Sequence, residues 1–298
     1  MEYKPLGKSD LQVSRVSFGC MSLGEDKLQN NNLLHTALNQ GINLFDTADL
    51  YGNGENERTV GQAFKGIRNQ VIISTKVGNQ WRPDGSGWDW NPTKEYILKA
   101  VDKSLQRLQT DYIDLYQLHG GTLNDPIDDT IEAFERLQES GKIRFYGISS
   151  IRPNVIREYV KRSRIVSVMM QYSLLDRRSE ETALNLLGEN NIGVLARGSL
   201  AQGLLAGKPA KDYLNYTAAE VTTSAQAIQL VAGNSRTASS VATQFVLNHP
   251  VVTSAVLGIR TAEQLIEAIA VSHSSALTIS EITQLQQAIP PHKYEQHR

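Results

Sequence analysis

The 298-residue sequence predicts an α/β protein of the (β/α)8 TIM barrel class, and three observations carry that expectation. Eight short runs rich in β-branched and aromatic residues recur, at 13–19, 42–46, 71–76, 112–119, 143–149, 166–171, 193–198 and 254–258. Each is followed by enough chain for a crossover helix, and several of those stretches carry one apolar stripe at helical spacing. No linker, low-complexity tract or composition break divides the chain, so residues 1–298 read as a single domain. An open eight-stranded sheet is the alternative architecture.

Taken in order, YKPLGKSDLQV at 3–13 places a Gly-Lys-Ser-Asp turn between two extended pieces and predicts an N-terminal β-hairpin closing the barrel floor. Leu33, Leu34, Ala37 and Leu38 share one helix face, as do Ile97, Leu98, Val101, Leu105 and Leu108, and Ile131, Phe134 and Leu137. Asn91-Pro92 reads as the start of the second of these helices, with Asn91 as cap and Pro92 at the first helical position. The small, polar stretch 206–235 reads as a long loop and a helix after the seventh strand. A last stripe, Ile282, Leu285, Ala288 and Ile289, predicts an extra C-terminal helix stopped by Pro290-Pro291.

A formal charge of −1 provides no global basic field, so binding to nucleic acid or an anionic membrane by bulk electrostatics is not expected. No apolar run approaches the ~18 residues of a membrane span, and no secretory leader pattern opens the chain. The expectation is a cytoplasmic protein handling a small molecule. The single cysteine, Cys20, cannot form an internal disulfide, offers no metal cluster, and reads as a small packed residue. His35, His249, His273, His292 and His297 lack partners at ligand spacing, so no metal site is expected.

Strand C-termini of such a barrel face one shared pocket, so Asp46, Tyr51, Lys76 and His119 should converge although they are far apart in sequence. A free phenol titrates near ~10, and a neighbouring ammonium favours its ionised form, which makes Lys76 the residue expected to lower Tyr51 toward neutrality. Asp46 supplies the anion a semi-buried lysine needs, and His119 orients a carbonyl. Any one of the four alone would read as a cap or rim residue. Together they point to a proton donor with its tuning charges, which is the chemistry of carbonyl reduction.

With these residues in place, the sequence resembles the aldo-keto reductase superfamily along nearly its whole length. The carriers are GINLFDTADLYG at 41–52 with Glu57 and Gly61, STK at 74–76, DYIDLYQLH at 111–119, GKIRFYGIS at 141–149, and Gln171-Tyr172. The resemblance implies that Tyr51 is the proton donor, that Lys76 and Asp46 tune it, and that His119 positions the substrate oxygen. It also implies a nicotinamide cofactor held without a glycine-rich dinucleotide fingerprint, which is absent after the first strand. By the same resemblance Gly19, Cys20 and Met21 lie beneath the nicotinamide, Asp46 also binds the cofactor, and Ser149, Ser150 and Gln171 meet its carboxamide. Arg197, Gly198, Ser199, Leu200, Gly203 and Leu205 run along the pyrophosphate. LGIRTAEQLIEA at 257–268 resembles an adenosine-phosphate clamp built of Gly258, Arg260, Gln264, Glu267 and Ala268. Arg260, a guanidinium suited to a 2′-phosphate near a helix start at Thr261, favours NADPH.

Three positions depart from the family pattern: Ser150 follows Ser149 where relatives often have Asn, Arg197 stands where many place a stacking aromatic, and the clamp ends in Glu267-Ala268 rather than Glu-Asn. Trp81, Trp88 and Trp90 cluster in the segment after the third strand and are candidates for an apolar wall over the substrate. The expected function is NADPH-dependent reduction of aldehydes or ketones. The rivals are a nucleotide-binding regulatory subunit of the same fold, resembling potassium-channel β subunits, and a barrel lyase or isomerase forming a Schiff base on Lys76. The substrate and the oligomeric state are not specified by the sequence.

Overall fold

The N-terminal turn folds as expected: β1 (Tyr3–Pro5) and β2 (Gln12–Ser14) pair antiparallel, Tyr3 opposite Ser14. The computed structural model describes residues 1–298. Its barrel strands are β3 (Val16–Gly19), β4 (Leu44–Asp46), β5 (Ile72–Val77), β8 (Ile113–Leu118), β9 (Ile143–Ser149), β10 (Ser167–Gln171), β11 (Gly193–Arg197) and β12 (Val252–Gly258), closed in the order β10-β11-β12-β3-β4-β5-β8-β9. The remaining strands, β6 (Asn79–Trp81) and β7 (Trp88–Trp90), form a second antiparallel hairpin.

All neighbouring barrel strands run parallel, so their C-terminal ends share one rim. The first run is shorter than the sequence suggests. Val13 and Ser14 belong to the floor hairpin, and Arg15 separates hairpin from barrel by donating to the carbonyls of Val252 (2.6 Å) and Thr253 (2.8 Å).

The crossovers are α1 (Lys27–Asn39), α2 (Glu55–Ala63), α3 (Lys94–Leu108), α4 (Ile127–Glu139), α5 (Pro153–Arg162), α6 (Ala183–Glu189), then α7 (Ala218–Ala232) and α8 (Ala238–Leu247) together after β11. After β12 come α9 (Ala262–His273) and α10 (Ile279–Ala288); the latter is the expected extra helix and packs on α7. The start of α3 differs from expectation. Thr93 is the cap, accepting from Tyr96 N, while Asn91 acts one step earlier by accepting from Thr93 N and Oγ1. Pro92 therefore precedes the helix instead of opening it.

Two apolar cores result. The larger lies between barrel and helices and contains the buried stripes Leu33, Leu34 and Ala37, Ile97 and Val101, and Ile131, Phe134 and Leu137. The smaller plugs the barrel interior: Leu6, Leu11 and Val13 from the hairpin segment pack with Leu44, Leu115, Val166, Met169, Leu195 and Val256. Nearer the C-terminal rim the interior-facing residues become polar, with Ser74, Lys76 and Gln117 all essentially without solvent exposure. A dry apolar floor beneath a buried polar layer is what gives charges at the rim a low-dielectric setting.

Candidate active site

The β4 strand ends at Asp46, and Thr47 and Ala48 stay buried before the chain turns sharply at Tyr51. Gly52 (φ 56°), Asn53 (φ 52°) and Gly54 (φ 86°) are three successive left-handed residues, which is why the turn after Tyr51 is glycine-rich. A β-carbon on Gly54 would lie 2.6 Å from the Arg107 side chain. Arg107 pairs with Glu57 at 2.6 Å, and Glu57 also accepts from Thr75 Oγ1 at 2.6 Å, so the turn is buttressed from behind by a buried ion pair. Gly61 allows α2 to touch the end of α3, since a β-carbon there would sit 2.5 Å from Leu108 backbone atoms. Glu57 and Gly61, part of the sequence pattern, thus act through support of the turn.

The four expected residues do converge. Lys76, 1% exposed, places Nζ 2.6 Å from Asp46 Oδ2 and 2.7 Å from Thr47 O. The same ammonium is 5.2 Å from the centroid of the Tyr51 ring, and the His119 ring meets Tyr51 edge-on at 5.8 Å. Burial pulls Lys76 down, but the opposing charges of Asp46 and Tyr51 and their hydrogen bonds outweigh it, so the ammonium is held above its ordinary value. Burial raises Asp46, and Lys76 and Ser74 oppose that rise.

One expectation about tuning is corrected. Lys76 does act to lower Tyr51, but burial of the phenol is the larger effect and Asp46 adds to it, so Tyr51 stands above its ordinary value. Burial, then the charges of Lys76 and Arg197, push His119 down to about 3, which leaves the imidazole neutral in the working pH range. Its Nδ1 is buried without a partner. A buried orphan N–H costs more than an orphan lone pair, so the ring proton belongs on Nε2.

The tryptophan segment is a hairpin rather than a loop. Trp81 donates its indole N–H to Leu50 O at 3.2 Å, beside Tyr51. Trp90 donates to Asp125 Oδ1 at 3.0 Å and lies against Gly78 and Gly120, where β-carbons would come 2.6 and 3.4 Å from its ring. Trp88 is 48% exposed. Trp81 and Trp90 are therefore the two tied to the rim, next to Tyr51 and His119 respectively.

Residues expected to hold a cofactor lie on the same rim, with different parts available. Gly19, at the end of β3, and Cys20 are buried, so they offer backbone, whereas Met21 is 65% exposed. Ser149 is half-buried, and Ser150 is buried with its Oγ accepting from Arg152 N at 3.2 Å. Gln171 is already engaged at both ends: its Nε2 donates to Tyr213 Oη at 3.0 Å and its Oε1 accepts from Arg197 Nη1 at 3.2 Å. Arg197 thus lies toward the site centre, where its charge reaches Asp46, Tyr51 and His119. No local sequence signal marks Tyr213, which is delivered from the long segment after β11.

Beyond Arg197, Gly198 and Gly203 are left-handed, Ser199 carries a buried hydroxyl with no protein partner, Leu200 is half-buried, and Leu205 belongs to the core. An orphan hydroxyl in a glycine-flanked turn fits a phosphate oxygen as acceptor. At the end of β12, Gly258 faces Ser22, whose Oγ would be 2.6 Å from a β-carbon there. Arg260 is exposed, and its backbone N–H is taken by Gln264 Oε1 at 2.8 Å. Thr261 caps α9 as expected, Glu267 accepts from Ser239 Oγ at 2.8 Å, and Ala268 is buried. These groups fit a dinucleotide with its phosphates toward Ser199 and the α9 N-terminus.

A closed parallel barrel with an Asp-Tyr-Lys-His cluster at its C-terminal rim defines a class, and the aldo/keto reductase family model matches residues 15–290. The chain belongs to the aldo/keto reductase family, oxidoreductases that act on small-molecule carbonyl compounds with a nicotinamide cofactor. It is 50% identical to an uncharacterized oxidoreductase, YqkF, of Bacillus subtilis strain 168, with both chains fully covered. It is 36% identical to the NADH-specific methylglyoxal reductase of Escherichia coli K12 over 72% of each chain. Among solved structures, the holo form of aldo-keto reductase AKR11C1 from Bacillus halodurans superposes with a TM-score of 0.95 at 48% identity, covering 100% of this chain and 99% of that one.

Proposed function

We propose that this chain reduces aldehydes or ketones to alcohols with NADPH, Tyr51 supplying the proton. The observation that carries the reading is the buried Lys76–Asp46 pair at 2.6 Å, set beside the Tyr51 ring and a neutral His119. A reduced nicotinamide, when bound, supplies the hydride. His119, neutral with its proton on Nε2, donates one hydrogen bond to the substrate oxygen without placing a cation beside Lys76. Tyr51 Oη gives its proton to that oxygen as negative charge develops there, and the Lys76 ammonium stabilises the phenolate left behind. Asp46 keeps the ammonium in place. Trp81 and Trp90 are proposed to exclude water from the reacting carbonyl.

In this reading the cofactor is held by Gly19, Cys20 and Met21, by Ser149, Ser150 and Gln171, by the Arg197–Leu205 segment and by Gly258, Arg260, Gln264 and Glu267. Arg260 supports NADPH over NADH because a guanidinium can grip a 2′-phosphate with two parallel bonds. The relative from Escherichia coli is NADH-specific, so cofactor preference is the point to measure first. The test is a panel of small aldehydes and ketones followed by NADPH and NADH oxidation, with Tyr51→Phe as control. Tyr51→Phe keeps the ring's packing and should lower kcat by several orders of magnitude at nearly unchanged cofactor affinity. Retention of most activity in that variant rules out Tyr51 as the donor.

A further inference from the structure

The geometry points to Ser74 and Gln117 as positioning residues, a two-link relay in which Gln117 Nε2 donates to Ser74 Oγ and Ser74 Oγ donates to Asp46 Oδ1. Its role is to keep Asp46 ionised and aimed at Lys76, and in this respect it rests on the proposed function of the Asp46–Tyr51–Lys76–His119 set. Asp46 has two oxygens. Oδ2 receives Lys76 Nζ at 2.6 Å, and Oδ1 receives the Ser74 hydroxyl at 2.9 Å. Gln117 Nε2 lies 2.8 Å from Ser74 Oγ.

The relay has only one workable direction. An ionised carboxylate only accepts, so the single Ser74 proton is committed to Asp46, and Ser74 is left with lone pairs that require a donor on its far side. A flipped Gln117 amide would set two acceptors against one proton. The donated bond favours the charged form of Asp46 against the burial that raises it.

Gln117 is an unfavourable residue for packing alone. It is fully buried, and its Oε1 has no partner, so the amide carries an uncompensated acceptor that Met or Leu would not. The polar end of the amide that is satisfied is the one facing Ser74.

Other charged or titratable groups act on Asp46 or its partner from every side: Lys76 on β5, the Cys20 thiol after β3, Asp49 and Tyr51 after β4, His119 after β8 and Arg197 on β11. Ser74 alone bonds Oδ1, so the relay can be altered without touching those groups.

The experiment uses the full chain in four variants: Ser74→Ala and Gln117→Met, which break the relay, Ser74→Thr, which keeps the hydroxyl, and Gln117→Glu, which reverses the far link. Two quantities are read, the pH profile of kcat and the infrared carboxyl band of Asp46, assigned by its loss in Asp46→Asn. Ser74→Ala and Gln117→Met should move both the acid limb of kcat and the titration of the band upward by about one pH unit, with KM for the carbonyl unchanged. Gln117→Glu should move them in the same direction, and Ser74→Thr should restore the parent values. If Ser74→Ala fails to fold, the near-isosteric Gln117→Met carries the test. A band that titrates at the parent pH in Gln117→Met overturns the relay. A parent protein with no carbonyl turnover but a band that moves in the variants keeps the relay and removes the reductase reading.

Discussion

Replacing Lys76 with Met keeps most of the length and all of the apolar contact of the stem and deletes one charge. The ammonium stands 5.2 Å from the Tyr51 ring centroid. At an effective dielectric of about 20, a unit charge at about 5 Å contributes roughly 3 kcal/mol to stabilising a phenolate, equivalent to about 100-fold in rate. Tyr51 is already raised by burial, so Lys76→Met should raise it further and lower kcat about 100-fold through loss of phenolate stabilisation. The same change strands Asp46 as a buried carboxylate without its cation, which should cost about 3–5 kcal/mol of stability. The two effects separate in the double variant Asp46→Asn/Lys76→Met, where no charge is stranded: stability should largely return while turnover stays low. Cofactor oxidation across pH gives the first quantity and the urea midpoint the second. A Lys76→Met enzyme within about threefold of parent kcat, with an unshifted pH profile, refutes the electrostatic argument.

Arg260→Ala should raise the Kd for NADPH far more than that for NADH, by about 2 kcal/mol for a lost bidentate contact, measured by fluorescence titration of both; equal losses remove Arg260 from phosphate binding. His119 is held at about 3 against an ordinary 6.5, so between these values the unfolded chain takes up a proton that the folded state refuses. Its contribution to stability is present above pH 6.5 and is lost as pH falls toward 3, a few kcal/mol in all (~3–5). Tm measured from pH 4 to 7 should fall less steeply in His119→Gln, and identical slopes contradict the assignment. Leu115→Ala, in the interior plug, should destabilise by about 2–5 kcal/mol by denaturant melt, and a loss under about 1 kcal/mol would contradict its place in that core.

The barrel was legible because its signals are local and repeated: eight runs such as VIISTK and YIDLYQLH begin or end within a few residues of the strands they become. The rim cluster was legible for a related reason, since Asp46, Lys76 and His119 each sit at or just beyond the end of such a run. What escaped the sequence depends on partners far away in the chain. Ser74 and Gln117 look like ordinary strand residues until β5 and β8 are placed side by side, and Tyr213 reaches Gln171 across 42 positions. The sign of the Tyr51 shift was also missed. It is decided by how much water the fold removes, and spacing carries no information about that. At the start of α3, Asn91-Pro92 signalled a helix correctly, but Thr93, equally able to cap, was closer to the first full turn.

Trp90 rests on two glycines, Gly78 at the exit of β5 and Gly120 immediately after His119. Its indole is therefore held at backbone distance from the C-terminal rim, and the tie to Asp125 fixes its tilt. The thickness of this wall is set by residues that have no side chain. A β-carbon at position 78 would come 2.6 Å from the ring, on a backbone whose φ of 125° already favours glycine, so either the ring or the strand exit would have to shift, and the room left beside His119 is dictated by a position that has no side chain of its own.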